Sequence, residues 1–156
     1  MSPTYHTLFR PPTPELQILC WSKMLKPIRL NEYSALRFAT NALSALRLAK
    51  RPDCEPIDQF SRAYSSIYSL CLGSLYLHGV LPDGKAGHAA LAIQLGGELL
   101  RLTPHERDKA LNACEYLHLT VGDFPEDVEP EVGKDVMRLG EHTLRQARYV
   151  FPDWFD

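Results

Sequence analysis

From Pro56 to Leu77 the chain presents apolar residues on two faces of one helical period. Ile57, Phe60, Tyr64, Ile67, Cys71 and Leu75 make one stripe, and Ala63, Leu70 and Leu77 make a second. A helix whose apolar belt is wider than one face must be buried on more than one side. Other helices therefore have to surround it. The same constraint extends to about Leu95. Gly79 suits a left-handed helix cap, Leu81-Pro82-Asp83-Gly84 is a turn, and a further helix opens near Gly87-His88.

The flanking segments supply the surrounding helices. Thr13 caps a short helix with Pro14 at its first position, running to about Leu25 and stopped by Pro27. Leu16, Leu19, Cys20 and Met24 form its apolar stripe. Asn31 caps the next helix, to about Lys50, with Leu36, Ala39, Leu43, Leu46 and Ala49 expected to face inward. After the central helix, a third runs from about Lys85 to Leu102, with Leu91, Leu95 and Leu99 inward. Gly96-Gly97 inside it costs about 1 kcal/mol per glycine relative to Ala, which points to a close helix crossing. Thr103-Pro104-His105-Glu106 is a capping box with proline at the first helical position. Gly122 and Pro125 end that helix, and an acidic linker, Asp123 to Glu131, leads to a last helix from Pro130 to about Val150. Val132, Val136, Leu139, Thr143 and Ala147 are its inward set, and an aromatic tail follows. No strand pattern of useful length appears.

The expected fold is therefore all-α, a single bundle of five to six helices. Residues 29–156 form the bundle with its aromatic tail, and residues 1–28 form a proline-rich extended arm and a short helix. A chain of 156 residues with 45% hydrophobic content can bury a real core in one domain. No apolar run approaches the roughly 18 residues a membrane span needs, and the N-terminus has no secretory apolar region. Cys20, Cys54, Cys71 and Cys114 are widely spaced without a C-x-x-C, which favours a reducing cytoplasm. Phosphate-loop, dinucleotide-binding, nucleophile-elbow and H-E-x-x-H motifs are all missing, so no cofactor is expected.

Charge is unevenly distributed. Lys23 to Arg51 holds seven Lys/Arg against the single acid Glu32, whereas Glu98 to Asp156 holds thirteen acids against seven bases. Arg37, Arg47, Lys50 and Arg51 are the binding candidates of the basic third, suited to phosphate or to an acidic partner. The alternative is that the two halves pair within the molecule or between copies. Trp154 and Phe155 lie past the last helix and either fold back onto the bundle or enter a partner. The second stripe of the central helix predicts a homodimer through that helix.

The histidines are weighed against ordinary roles. His78 and His88 flank the turn without a carboxylate or thiol at ligand spacing, so no metal site is expected. Cys114 and His118 share a helical face, but nothing marks a triad. Arg101 and His105 straddle a helix break. Arg138, His142 and Arg145 share one continuous face that can bind phosphate or serve as a solvated charged surface.

Two of these features together resemble the HEPN domain family. One is Leu77-His78-Gly79, the Pro-Asp-Gly turn and Gly87-His88. The other is the closing helix Leu139-Gly-Glu-His-Thr-Leu-Arg-Gln-Ala-Arg148 after an acidic linker. The resemblance covers roughly residues 31–151. It implies a small, often dimeric helical bundle, acting as an RNase or as a non-catalytic module in toxin–antitoxin and phage-defence systems. The family's catalytic signature, Arg followed by four to six residues and His, is absent. Arg101/His105 and Arg138/His142 have only three residues between them. The resemblance thus implies a non-catalytic module binding a protein or RNA partner in a defence, toxin–antitoxin or inhibitor setting. The alternative is a metal-independent endoribonuclease with an atypical site at Arg138, His142 and Arg145.

Overall fold

A computed structural model describes residues 8–84, 87–119 (side chains to 117) and 128–155. The start of the N-terminal arm, the start of the third expected helix at Lys85, the His118 side chain and the linker from Asp123 to Asp127 lie outside the described residues. The elements are α1 (Pro14–Trp21), β1 (Leu25–Pro27), α2 (Glu32–Ala49), α3 (Pro56–Leu77), β2 (Val80–Pro82), α4 (His88–Leu99), α5 (Pro104–Leu119), α6 (Pro130–Val150) and a 3-10 turn (Pro152–Trp154). The fold is a helical bundle around α3.

Local chemistry sets the helix ends. Thr13 Oγ1 accepts the Leu16 N–H (3.2 Å), opening α1 behind Pro14. The helix stops at Trp21 rather than near Leu25, because Lys23 takes a left-handed φ of 63° and redirects the chain into β1. That strand pairs antiparallel with β2, Leu25 opposite Pro82 and Pro27 opposite Val80. Sequence reading gives no strand here, since three residues cannot establish an alternation. The prolines sit at strand ends, where a missing N–H is tolerated. The ribbon fastens the N-terminal segment to the turn after α3.

Asn31 caps α2 as expected, its Oδ1 accepting from Tyr33 N (2.8 Å) and Ser34 N (3.2 Å). The buried stripe of α2 is Ala35, Ala39, Ala42, Leu46 and Ala49. Leu36 is exposed and Leu43 only half-buried, which corrects the expected register at those two positions. The alanines let the α2 backbone approach α3 closely enough for Ser66 Oγ to donate to Ala42 O (2.9 Å). Side chains the size of leucine would hold the helices apart there.

Both stripes of α3 are largely covered within the chain, with Ile57 and Tyr64 half-buried. Phe60, Ala63, Ile67, Leu70, Cys71 and Leu77 all join the main core cluster, with α2, α4, α5 and α6 packed around the helix. Ala63, Leu70 and Leu77 are fully buried, so the second face that predicted a dimer through α3 is already covered by this chain. The capping box of α5 forms as its residues predict, with Thr103 N–H donating to Glu106 Oε1 (2.9 Å) and Glu106 N–H to Thr103 Oγ1 (3.2 Å). On α6, Val136, Leu139, Thr143 and Ala147 face inward, whereas Val132 is exposed.

The aromatic tail folds back. Trp154 is fully buried, and its indole N–H donates to Ala35 O (2.8 Å). It lies directly over Gly73, where an added Cβ would fall 2.4 Å from the indole ring. Phe151 is buried beside it, edge-on to His78 (5.8 Å) and capped by the Arg10 guanidinium at 4.3 Å. Arg10 also donates from its side chain to Val150 O and from its backbone to Leu77 O. The arm, the end of α3 and the tail are thus joined around His78.

His78 is almost fully buried, with Nδ1 2.9 Å from Ser74 O. Burial pushes its pKa below the usual histidine value, the Ser74 carbonyl opposes this, and Arg10 lowers it further. The unfolded chain therefore takes up this proton before the folded one does. The His78 contribution is intact above about pH 6.5, the free-histidine value, and is lost as pH falls toward the depressed folded value. Melting temperature should fall between pH 7.5 and pH 5. The fall should shrink in His78→Asn. An equal pH dependence in that variant would assign it to other groups.

Candidate functional site

The α6 face that the endoribonuclease alternative would use carries Arg138, His142 and Arg145. Arg138 and Arg145 are exposed and His142 is half-buried. His142 Nε2 lies 2.5 Å from Glu106 Oε2, so the residue that caps α5 also holds this imidazole. Burial would raise the Glu106 pKa, but the Thr103 N–H and hydroxyl, with His142 and His105, outweigh it and hold the carboxyl below its usual value. A carboxylate orienting a histidine between two arginines can place a base and cations near a phosphate. It also serves as a tie between α5 and α6. Arg101 has φ 61° at the α4–α5 corner and stacks over Tyr149 at 5.5 Å, while His105 is exposed on the first turn of α5.

The four basic candidates divide. Lys50 pairs with Glu141 on α6 (3.4 Å) and Arg51 with Asp53 (3.3 Å). Arg37 and Arg47 are exposed and have no ion-pair partner among the described residues. Half of the expected phosphate patch is therefore neutralised internally, by surface pairs worth about 0–1 kcal/mol each.

Trp154 belongs to the core, which settles the tail's two expected fates toward folding back. Phe155 is half-buried, packed against Trp154 at 5.2 Å and under Arg148 at 5.5 Å. Tyr64 and Tyr68 stack on each other (6.1 Å) and are partly buried. Burial and a hydrogen bond with Cys114 push the Tyr64 pKa far up. His88 is exposed at the start of α4, whereas His78 is buried. Among the described residues no three His, Cys, Asp or Glu groups are placed to hold a metal ion, and no helix is long and apolar enough to cross a membrane.

The most exposed apolar surface lies elsewhere. Ile18, Trp21, Met24, Leu30, Tyr33 and Leu36 are all exposed, Trp21 by 79% and Tyr33 by 72%. They account for six of the eight large hydrophobic residues exposed among those described. Lys23, Lys26, Arg29 and Arg37 interleave with them, all exposed and none ion-paired among the described residues. Tyr33, Leu36 and Arg37 share one face of α2 by their spacing. Tyr76 anchors the connection beneath, its hydroxyl accepting the Asn31 N–H (2.8 Å). Sequence reading found the cations but placed Met24 in the buried stripe of α1 and Leu36 in that of α2, and both are exposed. The available signal was α1 itself, whose stripe Leu16–Leu19–Cys20 leaves Ile18 and Trp21 on the opposite side. No protein family, curated protein or solved structure matches this chain.

Proposed function

We propose that this chain is a non-catalytic, HEPN-like helical module that binds a protein partner through the segment from Ile18 to Arg37. The carrying observation is the concentration of exposed aliphatic and aromatic side chains there, interleaved with unpaired cations. Exposed apolar groups in such numbers on one segment mark an interaction surface, and Trp, Tyr and Arg are the residues that dominate binding energy at such surfaces. Four of the six are aliphatic or Met, which offer no stacking to bases, so a protein with an apolar, acidic face fits better than RNA. The defence, toxin–antitoxin or inhibitor setting, in a bacterium or mobile element, rests on the sequence resemblance.

Affinity capture from the native host tests this. Wild-type protein should retain a stoichiometric protein, and Trp21→Ala/Tyr33→Ala should lose it at unchanged melting temperature, since both side chains are exposed. Equal capture by both would overturn the assignment.

A second reading, a metal-independent endoribonuclease, is favoured by one observation: Glu106 holds His142 between Arg138 and Arg145. Incubation with mixed tRNA and mRNA decides it. Cleavage that vanishes in His142→Ala would replace the binding-module reading.

A further inference from the structure

Between α5 and α6, over the edge of α3, lies a cleft of about 570 Å3. This falls within the range of small-molecule sites, about 300–1,000 Å3. Phe60, Ala113, Val132, Val136 and Leu139 contribute apolar walls, and Tyr116 meets Phe60 edge-on at 5.3 Å. Charged residues line the same cleft, and most are committed. Lys109 pairs with Asp135 (3.3 Å), and Glu131 pairs with Lys134 (3.7 Å). Arg138 also lines the cleft and has no ion-pair partner among the described residues. Among the described residues, the uncommitted charge of the site is therefore a single guanidinium beside an aliphatic slot.

We infer that this cleft binds an aliphatic carboxylate, with its chain against Val132, Val136 and Leu139 and its headgroup on Arg138. A guanidinium matches a carboxylate with two parallel N–H donors. A nucleotide fits less well, because Asn112 is the one uncharged amide side chain lining the site and a base edge needs several donors and acceptors. The site uses none of the Ile18–Arg37 surface, so it stands or falls independently of the proposed protein partner.

Calorimetric titration with dodecanoate, below its aggregation concentration, tests the inference. Dodecanoate should bind one per chain and saturably, and dodecyltrimethylammonium, with the same tail and opposite charge, should not. Arg138→Gln should weaken dodecanoate by at least about tenfold, since it removes both charge-assisted hydrogen bonds to the headgroup. Val132 is exposed, so Val132→Asp should fold normally. It sets a carboxylate into the apolar wall and should abolish binding at unchanged melting temperature. Absence of saturable binding to the wild type overturns the site. So does equal binding to either variant, or equal binding of the cationic amphiphile.

Discussion

Gly96→Ala is expected to lower the unfolding free energy by about 3 kcal/mol or more, the upper end for overpacking a close contact. A Cβ at this position would lie 2.2 Å from the Cys71 carbonyl oxygen and 2.6 Å from its carbon. Both are backbone atoms of α3, so no rotamer change relieves the overlap and the two helices must separate. Native domains hold only about 5–15 kcal/mol in total, so the urea midpoint should fall far. The neighbouring Gly97→Ala is the milder comparison, because its Cβ would meet the Arg107 side chain (Cγ at 2.9 Å) rather than helix backbone, and a side chain yields more readily than a backbone. Cys71 provides a second readout. It is fully buried and its thiol pKa is pushed up to about 12 by that burial. It should resist thiol reagents in the wild type and react in Gly96→Ala. Unchanged stability in Gly96→Ala would mean that α3 and α4 do not cross at this closeness.

Trp154→Ala is the second large effect, expected at about 3–5 kcal/mol for emptying a buried aromatic site. The indole fills the space over Gly73 and beside Phe38, and it joins Phe151 and Phe155 in one aromatic cluster. Trp154→Phe retains part of the packing and loses the hydrogen bond to Ala35 O, so it should be milder. The second tryptophan, Trp21, is exposed, so the two can be told apart by quenching. In Trp21→Phe the remaining indole should emit as a buried group and resist iodide. Trp154→Ala with wild-type stability would show that the tail is not part of the core.

The fold was largely legible because helix signals are local. Asn31, the Thr103–Glu106 box and Gly79 each act within four residues of themselves, and each forms as its chemistry requires. The two-faced pattern of α3 likewise forecast its central position. What failed depended on partners distant in sequence. The stripe on α2 was misplaced at Leu36 and Leu43 because alanine spacing, set by contact with α3, overrode residue size. Arg10 reads as an arm residue in the sequence and becomes a link between α3 and the tail only through Leu77, Val150 and Phe151. The β1–β2 ribbon joins segments more than fifty residues apart and has no local signature.

The candidate sites follow the same division. Helical spacing was enough to group Arg138, His142 and Arg145, whereas the Glu106 contact that holds His142 comes from another helix. Spacing also grouped Arg47, Lys50 and Arg51 but could not show that Glu141 and Asp53 neutralise two of them. The exposed segment was visible only as charge, because exposure of Trp21 and Leu36 depends on which face of each helix the bundle covers.

Amide hydrogen exchange of the chain, alone and in complex with the protein it captures from its host, tests the binding assignment most directly. Protection gained on complex formation should concentrate between Ile18 and Arg37, with the Arg138–Arg145 face unchanged. Protection confined to the Arg138–Arg145 face, with Ile18 to Arg37 exchanging as in the free chain, would contradict it.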